Sequence, residues 1–133
     1  MAKTESKDFF IKPEDYKKAI TSGTDFFIQF QRFIPEVEYQ IVKMIHRYLE
    51  HYDLLYHKEA IISTVKELIN NAIKANLKRL YFETSNLNIN DIKDYRLGME
   101  KFKDEVFQNH ESEFMQCLQQ SKYVVRTSFS VNN

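Results

Sequence analysis

The chain has 133 residues, 43% of them hydrophobic and 14% aromatic, enough to bury one core and most economically a single domain. Its 19 Lys and Arg balance 19 Asp and Glu, so no net field draws it to nucleic acid or an anionic membrane, and its aromatics follow core periodicity rather than interleaving with basic residues. Cys117 stands alone, which excludes an internal disulfide framework and fits a reducing cytoplasm; no apolar run approaches the length of a membrane span or a signal-peptide core.

Residues 1–25 read as a polar leader followed by a short helix, with Pro13, Glu14 and Asp15 in its first turn and Gly23 as its stop. Residues 24–33 then alternate, Phe26, Ile28 and Phe30 against Gln29 and Gln31, which predicts a half-buried strand. Pro35 opens a second helix to about residue 52, with Glu36 and Glu38 suited to its amino-terminal dipole and Val37, Ile41, Met44, Ile45, Tyr48, Leu49 and Tyr52 as its apolar stripe. A third helix is expected over about 58–80; the segment 77–83 suits either its continuation or a strand. After an Asn-rich loop at 86–90, the spacing of Tyr95, Met99, Phe102, Val106, Phe114 and Cys117 predicts a fourth helix over about 91–120. Residues 123–131 alternate most cleanly of all, with Tyr123, Val125, Thr127, Phe129 and Val131 inward, and Asn132 and Asn133 read as the start of a hairpin turn. The fold class expected is α+β, predominantly helical, with a small, incomplete antiparallel or mixed sheet.

The stretch most informative about function is 67–76, ELINNAIKAN. On a helix, Glu67, Asn71 and Lys74 fall at i, i+4 and i+7 and share one polar face with Asn70 and Lys78, while Ile61, Val65, Leu68, Ile69, Ala72 and Ile73 line the opposite arc. The Asn71 amide oxygen suits a hard cation such as Mg²⁺ that keeps several waters. Glu67 stands where it would orient or deprotonate an attacking water, and Lys74 where it would pair with phosphate oxygens. The solvated side of an ordinary amphipathic helix accounts for the same spacing. The residue order Glu67-Leu68-Ile69-Asn70-Asn71-Ala72 resembles the N-box of the histidine-kinase-like ATPase superfamily, whose members include sensor kinases, anti-sigma-factor serine kinases, gyrase and the large heat-shock chaperone.

The order strand, helix, N-box helix, later strand is similar to the anti-sigma-factor kinase branch and covers about residues 26–80, with 123–131 as the next strand. The resemblance implies a partial ATPase domain over 26–133 that binds ATP and Mg²⁺, with Asn71 at the metal, Glu67 as base and Lys74 near the phosphates. The family's glycine-containing boxes and lid have no counterpart, since Gly23 and Gly98 are the only glycines. The chain therefore reads as the amino-terminal part of such a protein, with weak or absent nucleotide binding and no activity on its own. A helix at 91–120 is an insertion relative to compact members. The alternative is a non-catalytic helical interaction or dimerisation module in a signalling protein; under either reading the edge of the terminal strand could pair with another copy.

His46 is followed by Arg47 rather than the acidic residue of a phospho-acceptor motif, and His46, His51 and His57 lack metal-site spacing. His110 and Cys117 read as packed residues on the seam of the fourth helix.

Overall fold

The computed structural model describes residues 13–104 and 111–131. It is an α+β chain, mostly helical, with one two-stranded antiparallel sheet. The elements in order are α1 (Pro13–Ser22), β1 (Phe26–Phe30), α2 (Pro35–His51), a 3-10 turn (Leu55–His57), α3 (Lys58–Thr84), α4 (Ile92–Phe102), α5 (Glu111–Gln120) and β2 (Val125–Phe129). They form two compact units, residues 13–70 with 124–131 and residues 71–104 with 111–123, so α3 contributes to both.

In the first unit the sheet pairs residues far apart in sequence, with Phe26 opposite Phe129, Ile28 opposite Thr127 and Phe30 opposite Val125. Within β1 the expected alternation holds, Ile28 and Phe30 being fully buried and Phe27 exposed, but Gln31, expected on the outer side, lies just past the strand end and is buried. Each such burial is worth roughly 1.5–3 kcal/mol relative to exposure. On the outer face Arg126 lies over the Phe27 ring at 3.7 Å from its centroid. α2 supplies the facing layer through Val37, Ile41, Met44, Ile45, Tyr48 and Leu49, all buried as their spacing predicts, whereas Tyr52 lies past the helix end and is exposed. Tyr16 and Ile20 of α1 join Met44 and Tyr48 in one cluster; Phe26 and Phe129 close it, Tyr16 meeting Phe26 edge-on and Tyr48 stacking on Phe129 at 5.4 Å.

In the second unit the later turns of α3 pack with α4 and α5. Tyr81 meets Phe102 and Phe114 at 5.7 and 5.9 Å between ring centroids. Gly98 allows α4 to lie against the Phe82 ring, because a Cβ there would stand 2.6 Å from Cε1 of that ring. Asp91 caps α4 by accepting from the Lys93 N–H at 2.9 Å, and Asp94 accepts from the Asn88 N–H at 2.9 Å.

Three helices end in the same way. Gly23, Asp53 and Asn86 have left-handed φ of 69°, 56° and 59°. The next residue in each case donates back five positions, Thr24 to Ala19, Leu54 to Leu49 and Leu87 to Phe82. This is the Schellman closure, and two of the three use Asp or Asn where glycine is commonest.

The structure differs from the sequence expectations at several points. The ambiguous segment 77–83 is helix, because Leu77, Leu80, Tyr81 and Phe82 all find a buried environment as α3 continues to Thr84. α4 and α5 both fall within the helical range expected over 91–120; residues 105–110 between them lie outside the described residues, and with them Val106 and His110. Cys117 is exposed rather than packed, since the neighbouring Leu118 takes the fully buried position on α5. Leu68, placed on the buried arc of α3, is 62% exposed. The two strands are shorter than their alternating stretches, and the hairpin turn expected at Asn132 and Asn133 lies outside the described residues.

Candidate functional site

α3 is one continuous helix of 27 residues, so Glu67, Asn71 and Lys74 keep their spacing of i, i+4 and i+7 along one side of it. All three are exposed, as is Asn70, and none of the three side chains has a hydrogen-bond or ion-pair partner among the described residues. The polar side has limits. Lys78 is engaged, its Nζ 3.4 Å from the Tyr95 hydroxyl and 4.9 Å over the Tyr95 ring. One turn on, Tyr81 and Phe82 return to the same azimuth and are buried. Lys66, beside Glu67, forms a partly exposed ion pair with Glu38 of α2 at 2.6 Å.

This side can present a carboxylate, an amide oxygen and an ammonium together to a polar ligand. By itself it cannot chelate a cation: among the described residues no three His, Cys, Asp or Glu side chains are grouped to hold a metal. A single amide oxygen suits a metal that arrives with phosphate oxygens and water, as Mg²⁺ does with nucleotides. The residues therefore fit a metal carried by its nucleotide and do not fit a resident ion.

The histidines do not converge. His46 Nε2 is 3.4 Å from Glu50 one turn along, while its buried Nδ1 lacks a partner among the described residues. His51 and His57 lie against Tyr52 and Tyr56 instead.

An apolar groove of about 580 Å³ is lined by Ile45 and Leu49 of α2, Ile61 and Val65 of α3, and Thr127 to Val131. Glu67, Asn71 and Lys74 do not line it. The sequence carried a signal for it in Ile61 and Val65, apolar residues at helical spacing, which the structure leaves only partly covered.

Over 74 residues the chain is 36% identical to a protein of Treponema pallidum (strain Nichols) described as an uncharacterized protein; the match takes in 56% of this chain and 14% of that protein's length. The chain thus spans a small part of the curated relative it matches. No family model and no solved structure matches it. Among the described residues no helix is long and apolar enough to cross a membrane.

Proposed function

We propose that α3 carries the metal- and phosphate-facing part of a Mg–ATP site, in a regulatory protein kinase or ATPase of the histidine-kinase-like kind acting in signal transduction. The observation that carries this reading is the set of Glu67, Asn71 and Lys74, exposed, unpartnered and on one side of a continuous helix. The cytoplasm is the compartment proposed, on the strength of one free, exposed cysteine.

In this role Asn71 holds its amide oxygen toward the metal, and the ion supplies charge neutralisation at the phosphates when bound. Glu67, one turn earlier, accepts the proton of an attacking hydroxyl or water at a carboxylate oxygen. Lys74 donates from Nζ to phosphate oxygens as a point charge. Catalysis in such reactions is positioning plus electrostatics, which three groups on a rigid helix are suited to supply.

The test is a titration of the isotope-labelled full chain with Mn–ATP, followed by nuclear magnetic resonance, which detects millimolar binding. Paramagnetic broadening should centre on the Asn71 side-chain amide and vanish in Asn71→Ala. No broadening at Asn71, or broadening that Asn71→Ala leaves unchanged, removes the residue from the metal. Because the chain lacks the glycine boxes, we expect no phosphotransfer from these 133 residues.

A second reading, a non-catalytic interaction or dimerisation module, is favoured by the apolar groove of the first unit.

A further inference from the structure

The later turns of α3 carry two opposite charges that do not meet. Arg79 and Glu83 stand at i and i+4, a spacing that ordinarily lets a guanidinium and a carboxylate pair on a helix surface. Here each is held by a neutral group instead. Arg79 donates from Nη1 to Oδ1 of Asn76 at 3.0 Å, and Asn76 is itself only 5% exposed. Glu83 accepts from the Tyr123 hydroxyl. Neither charge has an ion-pair partner among the described residues. Their order also disfavours pairing, since an acid preceding its base along the helix is the better arrangement.

Both charges line one cleft of about 300 Å³, to which Phe82, Leu87 and Ile89 add apolar surface and Tyr123 its phenol. All of these residues belong to the second unit. The hydrogen bond to Glu83, then burial and the Glu83 charge, raise the Tyr123 pKa above the ordinary 10.0, and Arg79 pulls the other way. The guanidinium and the carboxylate therefore act on the same hydroxyl. A volume at the lower end of the range for ligand pockets suits a molecule of about ten heavy atoms.

We propose that this cleft binds a free α-amino acid with an apolar side chain. Its carboxylate pairs with Arg79, its ammonium with Glu83, and its side chain lies on Phe82, Leu87 and Ile89. The charges of the lining select a zwitterion: a simple acid would face Glu83, and a simple amine would face Arg79. The apolar surface beside them selects against a molecule that is polar throughout, such as a sugar. Binding breaks nothing that is already made. A carboxylate has two oxygens and about four acceptor sites, so Glu83 takes an ammonium while still accepting from Tyr123. Arg79 has five N–H donors, of which the bond to Asn76 uses one. Asn76 and Tyr123 act as positioning residues that keep the two charges apart and turned to the cleft. The site shares no residue with Glu67, Asn71 and Lys74, and the proposal is independent of the nucleotide reading.

Titration of the isotope-labelled full chain with L-leucine, followed by nuclear magnetic resonance, tests it. Arg79 and Glu83 are exposed, so a dissociation constant of about a millimolar is expected. The methyl signals of Leu87 and Ile89 and the side-chain N–H signals of Arg79 should shift together. N-acetyl-L-leucine lacks the ammonium and L-leucinamide lacks the carboxylate, and each should bind at least about threefold more weakly. Glycine, without the side chain, should lose about tenfold. Glu83→Gln and Arg79→Gln should each weaken L-leucine binding at least about threefold. Glu83→Gln keeps an acceptor for Tyr123 and should retain the circular dichroism of the parent. No shift at Leu87 and Ile89 with L-leucine about twentyfold above the expected constant overturns the proposal. Binding that both variants leave unchanged also overturns it. So do acetyl and amide probes that bind as well as L-leucine, which would mark the cleft as a plain apolar surface or a seat for a peptide end. Asn71→Ala should bind L-leucine like the parent, so failure here and failure of the nucleotide site are read separately.

Discussion

α2 and α3 are both amphipathic helices, but they spend their apolar sides differently. On α2 the six predicted stripe residues from Val37 to Leu49 are all buried, and they serve one core. On α3 the residues from 58 to 70 bury only Ile69, whereas from 71 onward Ile73, Asn76, Leu77, Leu80, Tyr81 and Phe82 are all buried. A helix committed to a single core shows one clean stripe. A helix that leaves an apolar flank open and a polar side unpaired keeps surface for something besides its own fold.

Truncation series in chemical denaturation test this contrast most sharply. Ile41→Ala on α2, at a residue 2% exposed, should cost about 2–5 kcal/mol. The equivalent truncation at Leu68 should cost under about 0.5 kcal/mol at concentrations where the chain is monomeric. Equal losses at the two sites would erase the distinction. A smaller effect probes how tightly the later turns of α3 are packed. Gly98→Ala gains helix propensity but drives a methyl into the Phe82 ring, and we expect a net loss of about 1–2 kcal/mol. A stabilised Gly98→Ala protein would show that α4 yields there.

The smallest effect lies inside the α2 stripe. The Tyr48 hydroxyl is buried without a hydrogen-bond partner among the described residues. Burial, then Tyr52 and Asp25, push its pKa above the ordinary value of 10.0. A raised folded-state pKa favours the neutral phenol. Its contribution to stability is complete below pH 10 and is lost as pH rises through the folded pKa. Tyr48→Phe should be neutral or stabilising by up to about 1 kcal/mol near pH 7, and should flatten the alkaline loss of stability. An unchanged alkaline limb would assign that loss elsewhere.

Much of the fold could be read from local pattern. The period of two in 24–33 and 123–131 located both strands, and the period of 3.6 located α2 and its buried residues. The stop at Gly23 was legible because a left-handed residue was needed there. What escaped depended on partners distant in sequence. Leu68 looks buried by helical phase, but phase states which side of a helix it occupies and not whether anything covers that side. Cys117 lost its place to Leu118 by a shift of one residue, which a seam of uneven spacing does not resolve. Gly98 gave no sign of its contact, since the ring it accommodates belongs to a residue of another helix. For the candidate site, the shared side of Glu67, Asn71 and Lys74 followed from spacing alone. Their lack of partners did not, because it depends on what lies around the helix.

The three Schellman closures have a consequence for how this chain can vary. Each stop is written in six consecutive residues, from Ala19 to Thr24, Leu49 to Leu54 and Phe82 to Leu87, and relies on no distant contact. Helix length is therefore a modular property here. Residues on the solvent side of α3 can be exchanged freely while Asn86 goes on ending the helix at the same place and hands the chain to α4 in the same direction. A polar face displayed on a rod of fixed length can change its chemistry without redrawing the fold that holds it.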